Sequence, residues 1–494
     1  MEYFNLFFIV ILILNVESLK NKNIVLILTD DQDIHLNSVE HMLNVQQLIA
    51  NEGASFENAY TTTPICCPSR SSILTGLYSH NHQAINNSLS GGCSSSNWQK
   101  LFEPLTFGNS LHSAGYTTFY AGKYLNQYGD RAVGGAAHVP PGWDWWYGLL
   151  GNSRYYNYNL SINGTEKFFA NDYLTDVIAN YSSEFLKQRP IDKPFLMVLS
   201  TPAPHAPFTP ADRHKNSLPD VEAVITPAFN YSNLNNKHWL LRMSPIPLPT
   251  ESKPILDSVQ RNRLRTLLAV DELVKSIIDQ LEQSKIINDT YVIYTSDNGY
   301  HIGQFCQFWD KRQPYETDIS VPLFIRGPNI RPKSIISNPV ANIDFAPTII
   351  EMAGLNILHN YDGVSFFDIL NNPSKHIKYN RTLFIEYSGE GNPNTISNNC
   401  PWKYDTELSQ CSEDAWCKCQ DARNNSYSCV RHFSDEDNIL LCNFDDDENF
   451  IEIYNLEDDK HQLRNLARNQ PNLITKFQLF LETLKQCSGI TCYL

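Results

Sequence analysis

Four apolar runs recur along the first three hundred residues, and helical patterns lie between them. The apolar runs are Asn23–Thr29 and residues 115–121, 194–200 and 290–295. An uninterrupted apolar run of this length is typical of a strand buried on both faces, as in a parallel sheet. Amphipathic patterns predict helices over residues 39–50 and 261–281. The alternation predicts an α/β sandwich, in which helices flank a large and mostly parallel sheet.

Polar side chains follow the end of each apolar run. These side chains belong to Asp30, Asp31, Lys123, His205, Asp297 and Asn298. Because parallel strands end at one edge of their sheet, and ligands bind beyond that edge, we expect these side chains to lie together. Oxygen ligands suit a hard cation such as calcium better than zinc, so the acidic and amide members predict a calcium site. Its ligands would be Asp30, Asp31, Asp297 and Asn298.

Each polar segment also has an ordinary structural explanation. The Asp-Asp-Gln-Asp sequence at residues 30–33 is more often an acidic helix cap, and Asp-Asn-Gly at residues 297–299 is more often a tight turn. A single lysine or histidine usually lies on the surface or is hydrogen-bonded locally. Their joint placement at the ends of several strands favours a binding site.

A change of pattern near residue 375 indicates a second domain. Short β-like segments follow at residues 382–387, 427–432, 439–444 and 450–454, and a helical pattern covers residues 473–486. Eight of the twelve cysteines lie between Cys400 and Cys492. We therefore predict a catalytic domain over residues 19–375 and a smaller cysteine-rich domain over residues 376–494. The smaller domain would contain an antiparallel sheet with one helix, held by disulfides.

The amino-terminal segment and the modification signals indicate entry into the secretory pathway. Residues 4–14 are apolar and are followed by a small-residue cleavage pattern, so residues 1–18 are predicted to be a signal peptide. Twelve cysteines fit an oxidising compartment. Acceptor sequences for N-glycosylation begin at Asn86, Asn159, Asn163, Asn180, Asn230, Asn288, Asn380 and Asn424.

The acidic character of the chain limits its partners. A formal net charge of −15 disfavours binding to nucleic acid, or to another long polyanion, over a broad face. An anionic substrate would therefore have to meet a local basic pocket. After the signal peptide, no apolar run approaches the length of a membrane span. A homodimer remains compatible with the sequence.

A cysteine pair opens the most informative stretch, residues 64–76. Pro68 fits the first turn of a helix and Gly76 fits its end, which places Cys66 at or just before a helix N-terminus. Free backbone N–H groups and the positive end of the helix dipole favour an anion there. Arg70 lies one turn further on and can reach back to the same anion. For an arbitrary pair, disulfide bonding of Cys66 and Cys67 would be the simpler explanation.

The complete string Cys66-x-Pro-Ser-Arg70-x4-Thr-Gly resembles the signature of the sulfatase family. The resemblance implies an alkaline-phosphatase-like fold and a sulfuric ester hydrolase. It implies that a formylglycine-generating enzyme converts Cys66 to formylglycine, whose hydrated aldehyde is the nucleophile. It also implies that residue 66 contributes an oxygen to the calcium ion. Eleven cysteines would then remain, so at least one is unpaired or bonded to another molecule, and Cys67 is the expected one.

Further motifs support the resemblance and assign the remaining site residues. The contexts of Lys123, His205 and Lys311 resemble sulfatase motifs, which implies that these residues bind sulfate and transfer protons. Many members of the family place a histidine two residues after the matching lysine, where this chain has Leu125. Asn126, His80 or His301 would take over that role, or the role is absent.

The motif variants look like one branch of the family, which acts on the 6-O-sulfate of N-acetylglucosamine in heparan sulfate or keratan sulfate. The branch contains extracellular endosulfatases with a long basic insert and an exo-acting lysosomal enzyme. This chain is acidic and lacks such an insert, so exo action and a lysosomal location are expected, with secretion as the alternative. Other possibilities are arylsulfatase or phosphatase-like activity, and a secreted glycan-binding protein without catalysis.

Overall fold

The computed structural model describes residues 21–357, 360–372, 380–389 and 418–494. The expected signal peptide, the expected domain boundary near residue 375 and the cysteines at positions 400, 411 and 417 lie outside these residues. Among the described helices, none is both long enough and apolar enough to cross a membrane.

Strands dominate two regions of the chain. They are β1 (Asn23–Thr29), β2 (Ala54–Phe56), β3 (Ala59–Tyr60), β4 (Thr117–Lys123), β5 (Trp145–Leu149), β6 (Tyr158–Ile162), β7 (Thr165–Phe169), β8 (Phe195–Ser200), β9 (Thr290–Ser296), β10 (His301–Ile302), β11 (Trp309–Asp310), β12 (Leu323–Arg326), β13 (Ser334–Ile336), β14 (Val340–Ala341), β15 (Arg381–Tyr387), β16 (Tyr427–Phe433), β17 (Asn438–Phe444) and β18 (Ile451–Asn455).

The α-helices lie mostly between strands of the larger region. They are α1 (Leu43–Val45), α2 (Cys66–Thr75), α3 (Ser79–His82), α4 (Ser96–Leu101), α5 (Phe107–Ser113), α6 (Leu174–Gln188), α7 (Ser252–Gln283), α8 (Glu316–Ile319), α9 (Phe345–Met352), α10 (Phe367–Asn371) and α11 (Pro471–Leu484). The helix predicted over residues 39–50 is shorter, because only α1 and the π-helical turn Gln46–Ala50 form there. The helix predicted over residues 261–281 is longer and begins at Ser252.

Ten strands form one large mixed sheet in the order β13-β2-β12-β9-β1-β8-β4-β5-β6-β7. At its centre β9, β1, β8, β4 and β5 are all parallel, with Leu26 of β1 opposite Val198 and Ile293. Antiparallel pairs occur towards both edges. The predicted α/β sandwich with a large, mostly parallel sheet is confirmed.

Alternate side chains of β1 pack against helices on opposite faces of the sheet. Val25 and Ile27 share a buried cluster with α6 and α7, whereas Ile24, Leu26 and Leu28 share one with α5 and α9. All seven residues of β1 are therefore buried, which explains the uninterrupted apolar run.

The second sheet is antiparallel, in the order β15-β16-β17-β18, and α11 packs on it through Phe477 and Leu481. The predicted small sheet with one helix is thus confirmed. Disulfide bonds join Cys429 to Cys442 on facing strands and Cys487 to Cys492. The apolar side chains of this second sheet and those of the larger region form one buried cluster, so the two regions pack against each other.

The expectation that Cys67 is unpaired is wrong. Cys67 forms a disulfide bond with Cys93, and the free cysteines among the described residues are Cys66 and Cys306, both buried. The sequence could not reveal this pairing because 26 residues separate the two partners.

A histidine links α3 to the carboxyl-terminal unit. Nδ1 of His80 lies 2.9 Å from Oε1 of Glu386, and Nε2 lies 3.1 Å from the carbonyl oxygen of Cys487. Both partners are acceptors, so the ring satisfies both only as an imidazolium ion. Burial acts to lower the pKa of His80, but the hydrogen bond and charge of Glu386 raise it above its ordinary value.

We expect the contribution of His80 to stability to depend on pH. Because its folded-state pKa is raised, the stabilisation is complete below the unfolded pKa of about 6.5 and is lost as pH rises through the folded pKa. His80→Gln should lower the free energy of unfolding by about 1 kcal/mol at acid pH and by less at alkaline pH. Urea unfolding at pH 5.5 and pH 8.5 measures both values.

His82 provides the control, since burial lowers its pKa to about 3 and it is neutral at both pH values. Because the unfolded ring takes up a proton at pH 5.5 and the folded ring does not, His82→Gln should cost less at pH 5.5 than at pH 8.5, the opposite trend to His80→Gln. An equal cost of His80→Gln at the two pH values would contradict the prediction.

Candidate active site

The polar residues predicted from the strand ends do lie at one edge of the large sheet. Asp30 and Asp31 follow β1, and Asp297 follows β9, the strand beside it. Lys123 is the last residue of β4, and His205 lies in the loop after β8. These positions follow from the parallel register of the central strands, which all end at this edge.

Three carboxylates form the centre of the site. One oxygen from each of Asp30, Asp31 and Asp297 lies within 4.8 Å of the others, and all three side chains are buried. Asn298 donates from Nδ2 to Oδ1 of Asp31 at 2.8 Å, and its own Oδ1 is buried without a hydrogen-bond partner. An unsatisfied buried acceptor beside three carboxylates fits a hard, oxygen-preferring cation.

Three basic side chains converge on the same carboxylates. Nζ of Lys123 lies 2.8 and 3.0 Å from the two carboxylate oxygens of Asp30, and Nζ of Lys311 lies 2.5 Å from both oxygens of Asp31. Nε of Arg70 donates to Oδ2 of Asp297 at 2.7 Å. All six side chains are almost completely shielded from solvent, so these charges interact strongly. Such a centre can hold an oxyanion as well as a cation.

Burial and neighbouring charges shift the pKa values of the three aspartates in different directions. Burial opposes ionisation of Asp30, but the combined charges of Lys123 and the other basic side chains of the site outweigh it and hold the pKa of Asp30 well below its ordinary value. Burial likewise opposes ionisation of Asp31, and Lys311 lowers its pKa in the same way. For Asp297, burial raises the pKa despite the neighbouring Arg70.

Cys66 is the first residue of α2 and points into this cluster. Its Sγ lies 3.5 Å from Oδ1 of Asp30 and 3.9 Å from Oδ1 of Asp31. Burial raises the pKa of the Cys66 thiol to about 12, so the thiol is neutral and a poor nucleophile near neutral pH. Gly76 ends the helix with φ of 72°, as its position after Thr75 predicts.

His205 is the site side chain most open to solvent, with 14 % of its surface exposed. Nδ1 lies 2.6 Å from the carbonyl oxygen of Ala206, and Nε2 lies 3.8 Å from Oδ2 of Asp31. Donation from Nδ1 to that carbonyl leaves Nε2 facing the carboxylates. Burial lowers the pKa of His205, which favours the neutral ring.

The candidates for the missing family histidine differ in their surroundings. The ring of His80 is held by Glu386 and the carbonyl of Cys487, and Nδ1 of His301 lies 3.0 Å from Asp318. Asn126, in contrast, carries a buried Oδ1 without a hydrogen-bond partner. Which of the three takes over the role, or whether the role is absent, stays a prediction.

Three residues of the site were missed in the sequence. Ser153 donates a hydrogen bond to Asp30, Ser200 lies 2.7 Å from Nη1 of Arg70, and Arg263 lies 2.7 Å from the carbonyl oxygen of Asp31. Ser200 is the last residue of β8, so the strand-end rule could have found it. Ser153 lies in a loop, and Arg263 lies within a helix predicted only from its apolar face.

Fold and site together define a hydrolase of anionic esters. The sequence profile of the Sulfatase family matches residues 22–355. The chain belongs to the sulfatase family.

Relatives agree with this assignment, and a solved structure shares the fold. N-acetylglucosamine-6-sulfatase of the goat Capra hircus is 47% identical over 480 residues, which cover 96% of this chain and 85% of the relative. The human enzyme of the same name is 46% identical over 480 residues, covering 96% and 86%. A solved protein in complex with its substrate D-glucosamine-2-N, 6-O-disulfate superposes with a TM-score of 0.74 at 24% identity, covering 94% of this chain and 98% of that one.

Proposed function

We propose that this sulfatase removes the 6-O-sulfate from N-acetylglucosamine 6-sulfate residues of heparan sulfate and keratan sulfate, acting at chain ends. The observation that carries the proposal is 46–47% identity, over nearly the whole chain, to mammalian enzymes named for that reaction. The acidic chain has no long basic insert to grip an extended polyanion, which supports exo action.

We propose further that the site holds a calcium ion and that Cys66 is converted to formylglycine by a formylglycine-generating enzyme. The ligands would be Asp30, Asp31, Asp297, Asn298 and the oxygen of residue 66. The ion would polarise the nucleophile and neutralise the sulfate ester, and the modified residue would supply a hydrated aldehyde as nucleophile.

The basic side chains have two tasks in this proposal. Arg70, Lys123 and Lys311 offset the negative charge that develops on the sulfate oxygens, from positions that their buried ion pairs already fix. Either His205 or Lys311 gives a proton to the sugar oxygen that leaves. His205 lies nearest to solvent, and its Nε2 would first take up a proton there, because donation from Nδ1 leaves Nε2 unprotonated in the neutral ring.

The cellular setting follows from the same features. Asparagine acceptor sequences, disulfide bonds and the amino-terminal apolar segment support passage through the secretory pathway to the lysosome, with secretion as the alternative.

The catalytic unit would span residues 19–375 and the smaller unit residues 376–494. A homodimer remains a possible assembly.

Two measurements on protein from a eukaryotic secretory host test the proposal. Mass spectrometry of the peptide containing Cys66 should show a loss of about 18 Da relative to the cysteine form. The protein should hydrolyse N-acetylglucosamine 6-sulfate faster than 3-O-sulfated glucosamine, an aryl sulfate or the matching phosphate ester. Equal rates on all four esters would contradict the assigned substrate, and an unmodified Cys66 would contradict the assigned nucleophile.

A further inference from the structure

The side chains of two consecutive residues face the same centre in this site. Two consecutive residues of a regular strand could not do so. Successive side chains of an extended strand point to opposite faces, yet Asp30 and Asp31 both approach the sulfur of Cys66. The backbone turns at Asp31, whose φ of 70° lies in the left-handed region. That conformation costs a residue with a side chain about 1 kcal/mol or more, so neighbouring groups must hold the backbone of Asp31 in place.

Hydrogen bonds hold the peptide groups on either side of this turn. The N–H of Asp31 donates to Oδ1 of Asp297 at 3.0 Å. On the other side, Nη2 of Arg263 donates to the carbonyl oxygen of Asp31 at 2.7 Å and to Oδ1 of Asp33 at 2.8 Å. Arg263 therefore bonds the backbone of Asp31 and leaves its carboxylate free for the centre.

The guanidinium group is itself held firmly. Arg263 lies within the 32-residue helix α7 and is fully buried. Its Nη1 donates to Oε1 of Gln260 at 3.2 Å, and its guanidinium stacks 4.4 Å from the ring centre of Tyr300. Gln260 in turn donates to the carbonyl oxygen of Leu36 at 2.7 Å, beyond the acidic loop. One rigid helix thus braces the loop that carries both carboxylates.

We propose that Arg263 is a positioning residue that fixes the turn at Asp31, so that both adjacent carboxylates face the cation; this inference rests on the metal site of the proposed function. The described hydrogen bonds of Arg263 go to the backbone of Asp31, to Asp33 and to Gln260 and not to the three carboxylates of the centre, so it acts through the backbone. A lysine could reach one of its three acceptors but would lose the planar stacking on Tyr300, so it should replace arginine only in part.

Calcium titration of chelator-treated enzyme, by calorimetry, tests the role without relying on turnover. Arg263→Met should weaken calcium affinity about 10- to 100-fold, the range typical of groups that orient metal ligands. At saturating calcium, kcat should fall while KM changes little, because the substrate contacts remain. Arg263→Lys should recover part of both losses.

Arg263→Met also leaves the buried carboxylate of Asp33 without its ion pair. A loss of protein stability from this unpaired charge must therefore be distinguished from misplacement of the Asp31 carboxylate. The double variant Arg263→Met/Asp33→Asn removes both charges but still lacks the donor to Asp31, and it should bind calcium as weakly as the single variant. Arg431→Met is the matched control: Arg431 is equally buried, bonds Glu316 at 3.0 Å and stacks 3.9 Å from the ring centre of Phe433. It should lose stability and keep wild-type calcium affinity.

Two outcomes would overturn the inference alone. Wild-type affinity in the folded double variant would show that Arg263 only neutralises Asp33. An equal loss of affinity in Arg431→Met would show a general effect of lost stability. A wild-type enzyme that binds no calcium would instead overturn the proposed metal site, and the inference with it, so the two failures are distinguishable.

Discussion

Replacing Cys66 by alanine or serine will abolish sulfate release and leave the fold intact. The expected loss is at least about 10³-fold in kcat, because neither side chain can supply the hydrated aldehyde proposed as nucleophile. Cys66 is buried at the start of α2 with its sulfur 3.5 Å and 3.9 Å from Asp30 and Asp31, and either substitution changes a single side-chain atom, so the fold should tolerate it. Sulfate release and thermal unfolding of the same preparations measure both quantities.

Cys306 provides the matched control for this experiment. It is the other free cysteine among the described residues, it is also buried, and its Sγ lies 3.3 Å from Oδ1 of Asn230. Cys306→Ala should keep kcat within about threefold of the wild type. Near-normal turnover by Cys66→Ala would refute the proposed nucleophile.

Lys123→Met is expected to have the second largest effect. The substitution keeps the length of the side chain and removes the charge that faces Asp30 at 2.8 Å. A preorganised charge that meets the developing negative charge of the transition state is worth about 10²- to 10³-fold in kcat, and we expect a loss of that size. KM should change by only a few fold, so full kinetic curves are needed.

A second buried lysine separates catalysis from stability. Lys237 is fully buried, lies within 4.5 Å of the ring centres of Phe305, Tyr315 and Tyr454, and donates to Oη of Tyr454 at 2.6 Å. Lys237→Met should lower the unfolding temperature and leave kcat almost unchanged. A kcat for Lys123→Met within threefold of the wild type would argue against its proposed role.

Much of the fold was predictable because the central strands are covered on both faces. Burial on both sides forces a continuous apolar run such as Asn23–Thr29, and the parallel register then places the following polar residues at one edge. The same rule located the carboxylates Asp30, Asp31 and Asp297 without any knowledge of their distances.

The parts that could not be predicted depend on contacts between distant segments. The partner of Cys67 is one of eleven other cysteines, and nothing local to either residue marks Cys93 as that partner. Arg263 lies 232 positions from Asp31 and on a helix whose apolar periodicity says nothing about its polar side. Ser153 has no pattern around it that differs from an ordinary loop.

The pairing of β1 with β9 has a consequence for the order of events during synthesis. Arg70 and Asp297 are separated by 227 residues, which ribosomes need on the order of 10 to 45 s to add. Until β9 emerges, α2 has no completed sheet against which to bury its cysteine. The Cys67–Cys93 bridge spans only 26 residues and can close early in that interval. The topology thus leaves an interval in which the neighbouring thiol can already be oxidised while Cys66 is not yet buried, and the proposed conversion of Cys66 would fall in that interval.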